Sequence, residues 1–412
     1  MSTRLRSIHA TLPVFIATFA LLATTLSGSS YALAQTERGE AVRAVEEAIS
    51  GMESREGAYA THLPEQLLSL GLVLQQEGRH SEAVAVFKRG SHLTRINDGL
   101  NSTAQIPYIE GEIISHLALG ELDEADRGQS RLFRVQQHGS DGIDLVRALL
   151  QQAQWQHRAY DLAIENKEAS FGRLVHMADY YLLAFVNIRE RDGDSSPQLL
   201  TPLHGMLQAA YLISGYPIKI DPHNAGVSAN PSDRRMYNRF NGYYAQGYQR
   251  GRAIISQIQK VEAARYGEKS LPLSQTLVML GDWMLWNDKR ESADEAYLQA
   301  IGELAELDDA QVQIEKFFGA PTALPDLDGV RPLPAEVSAE DGGILLEFGV
   351  TRRGKVVDLV RLYETQNADD AISESQANRL IRTLRKTKFR PRFAEGAAAT
   401  TENIVKAYDI AN

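Results

Sequence analysis

The stretch Leu67-Leu-Ser-Leu70-Gly71-Leu-Val-Leu-Gln-Gln-Glu-Gly78-Arg-His-Ser-Glu82-Ala83-Val-Ala-Val-Phe87-Lys-Arg-Gly90 decides how most of this chain is read. Shifted by a single offset of 210 residues, Leu67, Leu70, Gly71, Ala83, Phe87 and Gly90 fall on Leu277, Leu280, Gly281, Ala293, Tyr297 and Ala300. Apolar residues three and four apart predict two helices joined by a turn. Gly71 and Ala83 are small where the helices of a pair would cross, and Phe87 is large where it would plug the gap to the next pair. A weaker copy follows 42 residues after the first: Gly78-Arg-His-Ser-Glu82-Ala83 is echoed by Gly120-Glu-Leu-Asp-Glu124-Ala125, with Gln129 in the place of Phe87.

This spacing resembles the tetratricopeptide repeat (TPR) family, in which antiparallel helix pairs stack into a solenoid. The resemblance covers two good units and one degenerate one. It implies a concave surface that binds peptides or partner domains rather than one that does chemistry. From Gln35 to Phe318 the whole region reads as helical, although no clean repeat is visible between about 140 and 260. That interval holds a polar loop, Asp221 to Asp233, and the tyrosines 237, 243, 244 and 248, whose spacing puts Tyr244 and Tyr248 on one helix face for packing.

The run from Gly319 to Leu333, with Pro321, Pro325 and Pro332 and then Pro334 just beyond, cannot continue a helix, so residues 319–333 are read as a linker. After it, Ile344, Leu346, Phe348 and Val350 alternate on one face of a strand. Thr351-Arg-Arg-Gly354 is a turn, Lys355 to Tyr363 a second strand, Ser375 to Arg385 a helix and Asn403 to Ile410 a closing strand. The predicted fold class is therefore mainly α, an α-solenoid over residues 35–318, with a small α+β domain of β-β-α-β order over residues 334–412.

That small domain resembles the C-terminal domain of the TonB family. The residues that carry the likeness are Pro334, Gly343-Ile-Leu-Leu-Glu-Phe-Gly-Val350, Arg353-Gly-Lys-Val356 with Asp358, and Phe389-Arg-Pro391-Arg-Phe393 followed by Gly396. Leu333-Pro334 stands where that family has Tyr-Pro, and Thr387 where it has a tryptophan. A helical region also takes the place of its Pro-rich and Lys-rich spacer. The resemblance implies a helix packed on a small antiparallel sheet whose edge strand pairs with a segment of a partner. Carried over by position, that edge is Asn403, Ile404, Val405, Lys406, Ala407, Tyr408 and Asp409. Its occupant would be an envelope protein, such as an outer-membrane receptor segment, or a second copy of the chain in a homodimer.

The first 34 residues read as an export signal. Arg4 and Arg6 precede an uncharged run from Leu12 to Leu26, and Ala32-Leu33-Ala34 supplies a cleavage site. The expectation is a periplasmic protein beginning at Gln35, with no integral membrane span once the signal is removed. The alternative is an uncleaved inner-membrane anchor with a periplasmic body.

Composition narrows the chemistry. The chain of 412 residues has no cysteine, which excludes disulfides, thiol nucleophiles and thiolate metal sites. Its net charge of −10 argues against a general nucleic-acid binder. The acidic excess lies before residue 334, whereas Arg379, Arg382, Arg385, Lys386, Lys388, Arg390 and Arg392 form a run without an acidic residue. That run is a candidate basic patch or a solvated helix face. Gly349 to Val356 nearly fits a phosphate-binding loop, yet Val356 replaces the required Ser or Thr, and the segment joins two strands. The histidines show no i,i+4 pair, and no nucleophile elbow is complete. No catalytic, cofactor-binding or metal-ligating residue is assigned. The functional expectation is a non-catalytic adaptor that binds protein partners through both regions. The alternative is an atypical TonB-type energy transducer acting on outer-membrane transport.

Overall fold

The computed structural model describes residues 28–138, 143–165, 170–216, 231–267, 269–338, 343–362 and 374–409. Most of the signal and of the Asp221–Asp233 loop, together with Tyr363 and Ile410, lie outside these residues. Helices α1 (Gly28–Glu56), α2 (Leu63–Gln76), α3 (His80–Asp98), α4 (Ile106–Ala118), α5 (Leu122–His138), α6 (Ile143–Asp161) and α7 (Phe171–Asp192) follow one another, each packed on the next. The stack continues through α8 (Leu200–Ser214), α9 (Pro231–Ala245), α10 (Gly247–Tyr266), α11 (Leu271–Trp286), α12 (Arg290–Leu304) and the short α13 (Ala310–Phe318).

The repeat has a common turn. Gly78 takes φ +73° and donates to Gln75 O, while Arg79 donates to Leu74 O. Gly120 and Glu121 reproduce these bonds to Leu117 O and His116 O, and Asp288 and Lys289 reproduce them to Leu285 O and Met284 O. This left-handed cap satisfies the last carbonyls of the first helix and turns the chain back along it. Asp288, at φ +61°, sits 210 residues after Gly78 and adopts a conformation that Asp tolerates better than most side chains.

Aromatic rings on glycines close the seams. Phe87 is fully buried and lies against Gly71 of its own pair and Gly111 of α4, so that a Cβ on either glycine would run into the ring. Tyr297 lies on Gly281 in the same way. Leu67, Leu70, Ala83, Leu277, Ala293 and Ala300 are buried around these contacts, and Leu280 is partly buried. Gly90 receives the edge of Tyr108. Trp283 fills the equivalent space beside Gly251, with its indole N–H bonded to Tyr248 O at 3.0 Å. The tyrosine group is split: a break at Gln246 places Tyr237, Tyr243 and Tyr244 on α9 and Tyr248 on α10.

The strand-rich part comprises β1 (Thr322–Ala323), β2 (Glu336–Val337), β3 (Ile344–Val350), β4 (Val356–Arg361), α14 (Glu374–Lys386), β5 (Phe389–Arg390), β6 (Arg392–Ala394), β7 (Ala397–Ala399) and β8 (Thr401–Tyr408). Its main sheet is antiparallel in the order β2-β8-β3-β4. Ile344, Leu346, Phe348 and Val350 point to one face and form a core with Ala377, Leu380 and Leu384 of α14. The segment from Gly349 to Val356 is the β3–β4 hairpin and its turn, in which Gly354 at φ +68° accepts a hydrogen bond from Phe389 N and a Cβ would run into the Phe389 carbonyl.

Two expectations need correcting here. The proline-rich run is not a free linker: β1 pairs with β5, Leu324 is buried in the core of α11 and α12, and the Gln208 amide donates to Asp328 O. Proline cannot extend a helix, but it suits an extended strap crossing a packed surface. In addition, β8 is not a complete edge. β2 pairs Glu336 with Tyr408 and Val337 with Ala407, and Asp409 N donates to Ala335 O, so this end is covered on both sides. The outer side from Asn403 to Lys406 has no strand partner among the described residues.

Candidate functional site

The degenerate repeat opens a groove. α4 and α6 form its walls and α5 its floor, and the groove holds about 430 Å³, within the range of ligand pockets. Its lining is Glu110, Ile113 and Ile114 from α4, Gln129 and Leu132 from α5, and Gln151, Gln154, Trp155 and Arg158 from α6. In the first unit Phe87 occupies the seam between neighbouring pairs. In the second, Gln129 stands at that position, Ile113 packs instead on Gly128, and the space above Gln129 stays open.

The lining is rigid on one side. The Trp155 indole donates to Asp126 Oδ1 at 2.7 Å, and Asp126 receives two bonds from Arg173, at 2.9 and 2.8 Å. Burial pushes the Asp126 carboxyl up, but Arg173 and Trp155 more than offset it and leave it below its usual value, so it stays ionised. Gln136 donates to Gln151 Oε1 at 2.9 Å. Among the described residues, neither Gln129 nor Gln154 has a side-chain hydrogen bond. Ile114 is 55% exposed on the rim, and burial raises the Glu110 carboxyl above its usual value. Apolar walls with free amide groups suit an extended polypeptide, whose main chain can bond to glutamine and whose apolar side chain can rest on Ile113, Leu132 and Trp155.

A second cavity, of about 180 Å³, lies between α7, α8 and α10 and is lined mainly by Leu182, Met206, Ile213 and Ile254, with Tyr243 and Arg250. Tyr243 donates to Asp179 at 2.9 Å and carries the Arg250 guanidinium over its ring.

The residues of the basic run separate into two groups. Arg390 is not part of a surface patch: its side chain is 2% exposed, pairs with Asp282 at 2.7 Å and with Asp326 at 2.8 Å, and donates Nε to Phe317 O. Tyr297 completes the cluster by donating to Asp282 Oδ1. Lys388 reaches Asp288 and Trp286 O. A lone buried guanidinium would be prohibitively desolvated, so this segment folds where carboxylates await it. Burial works against the charge on Arg390, yet Asp282, Tyr297 and Asp326 hold it above the ordinary arginine value. Burial pushes Asp282 up to about 6 against the pull of Arg390. Phe393 joins the cluster by meeting Tyr297 and Phe318 edge-on, at 5.5 and 5.3 Å. Arg379, Arg382, Arg385 and Lys386 are exposed on α14, and Arg392 is half-buried.

Sequence reasoning missed the groove walls. The signal it had was Gln129 replacing the aromatic plug, which it read as degeneracy alone. It also missed Asp282 and Asp326, whose partner lies far along the chain.

No protein-family model and no curated protein matches this chain. Among solved structures, it is similar to a kinesin light chain of Podosopora anserina with nearly identical TPR-like repeats, at 13% identity and a TM-score of 0.36, over 60% of this chain and 98% of that one. It is also similar to BtubC (BKLC) from P. vanneervenii, at 14% identity and a TM-score of 0.33, over 66% of this chain and 91% of that one. No helix of the described residues is long and apolar enough to cross a membrane.

Proposed function

We propose that the chain is a non-catalytic protein-interaction scaffold of the bacterial cell envelope. Its helical repeats hold an extended segment of a partner in the α4–α6 groove. The observation that carries this reading is the groove itself: it opens where Gln129 replaces the aromatic plug, and it combines the apolar Ile113, Leu132 and Trp155 with glutamine amides that have no side-chain hydrogen bond among the described residues. The strand-rich unit, fixed on the last repeat through Arg390, presents a second contact surface. Asn403 to Lys406 on the outer side of β8 is where a strand of a partner, or of a second copy, would add. The periplasm is the proposed compartment, supported by the basic, apolar and small-residue order of the first 34 residues.

The test is a selection of displayed random peptides on the intact protein, repeated on Gln129→Phe. Peptides sharing an apolar anchor should bind the parent and lose affinity for the variant. No enrichment, or equal binding to both, would remove the groove from the account. The alternative, an inner-membrane TonB-type energy transducer, shares the strand-pairing surface. Soluble protein beginning at Gln35 would exclude it, and full-length protein in the membrane fraction would favour it.

A further inference from the structure

Four cations of α14 have no ion-pair partner among the described residues. Arg379, Arg382, Arg385 and Lys386 are exposed, and among the described residues no carboxylate lies within ion-pair distance of any of them. Two other cations of the same run differ sharply: Lys388 pairs with Asp288 of the helical region, and Arg390 with Asp282 of α11 and Asp326 of the strap. Arg379, Arg382 and Lys386 are three and four residues apart, so they line one helix face over about 10 Å. The opposite face is used up in the core through Ala377, Leu380 and Leu384. α14 is therefore held rigidly against the sheet with its charge outward, and it has no apolar face left to insert into another surface.

We infer that this face docks on the anionic phospholipid headgroups of a membrane surface. Protein partners are recognised through buried aromatic or apolar anchors surrounded by a polar rim. The exposed surface of α14 contributes none of the exposed large apolar side chains; its four cations are accompanied by one carboxylate, Glu374 in the first turn, and by polar residues such as Asn378 and Thr383. A diffuse array of phosphates asks for no anchor, and arginine forks pair with phosphate in a bidentate manner. The attraction is electrostatic and lies in the plane of the surface, as for polybasic segments beside a bilayer. It is independent of the α4–α6 groove, so either claim can fail without the other.

The experiment is co-sedimentation of the full chain with vesicles of neutral lipid alone and of neutral lipid mixed with phosphatidylglycerol, at low and high salt. The triple variant Arg379→Gln, Arg382→Gln, Lys386→Gln is tested in parallel, with circular dichroism as the folding control. Each cation contributes about fivefold to partitioning onto an anionic surface, so the variant should lose about a hundredfold. Binding of the parent should require the anionic lipid and vanish at high salt. Equal affinity for neutral and anionic vesicles, or full binding by the folded variant, would overturn the inference. Binding to polyglutamate but not to vesicles would overturn it too and assign the face to an acidic protein.

Discussion

Arg390 of the strand-rich unit and Asp282 of the last helical repeat meet at 2.7 Å with both side chains almost wholly buried, although 108 residues separate them in the chain. Asp282 also receives the Tyr297 hydroxyl, and Tyr297 rests on Gly281, so the repeat's own seam supplies the socket for the second unit. Repeat stacks need a terminal cap to cover the last open seam. Here Phe318, Leu324 and Phe393 cover Tyr297 where another helix pair would otherwise pack.

Removing one side of the buried pair leaves the other without its counter-charge. Arg390→Met is expected to destabilise the protein by about 3–5 kcal/mol, and the double variant Asp282→Leu, Arg390→Met to recover part of the loss. Urea unfolding followed by the fluorescence of Trp283, next to Asp282, reads both. Wild-type stability in Arg390→Met would contradict the socket.

The glycine seats make a second prediction. A side chain at Gly71 or Gly281 must displace the buried ring of Phe87 or Tyr297, so Gly71→Leu and Gly281→Leu should each cost about 1–3 kcal/mol or more through overpacking. Gly302→Ala, where a Cβ meets nothing within 4 Å, is the control and should be neutral or slightly stabilising. Equal melting temperatures for all three variants would show that the rings do not depend on the glycines.

The same residues mark how far the sequence could be read. Gly71 and Phe87 lie within one helix pair, and their copies recur at one offset, so local spacing was enough to place them on helices. The β3–β4 hairpin was equally legible, because its alternation and its turn are contiguous. Arg390 was not: its neighbours are cations, and the aspartates that bury it come from α11 and from the strap. The two-residue strand β2 that covers the end of β8 is too short to leave a periodic trace, so β8 looked like a free edge. The groove was half legible, since Gln129 was recognisable as a missing aromatic, but Trp155 and Gln154 reach it only through the packing of α6.

Histidines give the expected pH response. Burial lowers His157, His176 and His204 below the ordinary value, with Asp161, Asp179 and Asp328 pulling the other way beside them and Arg239 adding to the lowering at His176. As the pH falls below about 6.5, the unfolded chain takes up these protons first. The stability tied to neutral histidine is therefore complete above that value and is lost as the pH drops through the lowered folded values. In the variant His157→Gln, His204→Gln, the fall in melting temperature between pH 7.5 and pH 5 should be smaller than in the parent. An unchanged difference would show that these two residues do not set the response.

Gln129→Phe should fill the α4–α6 groove: Ile113 and Ala153 stand where Gly71 and Gly111 seat Phe87, so the new ring cannot take that buried seat and lies instead in the open space beside Leu132 and Trp155. The expected outcome is an unchanged or raised melting temperature with loss of the selected peptides. A large drop in melting temperature would mean that the space above Gln129 cannot take a ring.

The scaffold reading is tested most directly by amide hydrogen exchange on the full chain with and without a selected peptide. Protection should rise in α4 around Glu110–Ile114 and in α6 around Gln151–Arg158, with the C-terminal sheet unchanged. Protection confined to β8 or β4, or none in α4 and α6 at saturating peptide, would contradict a partner-binding groove between these helices.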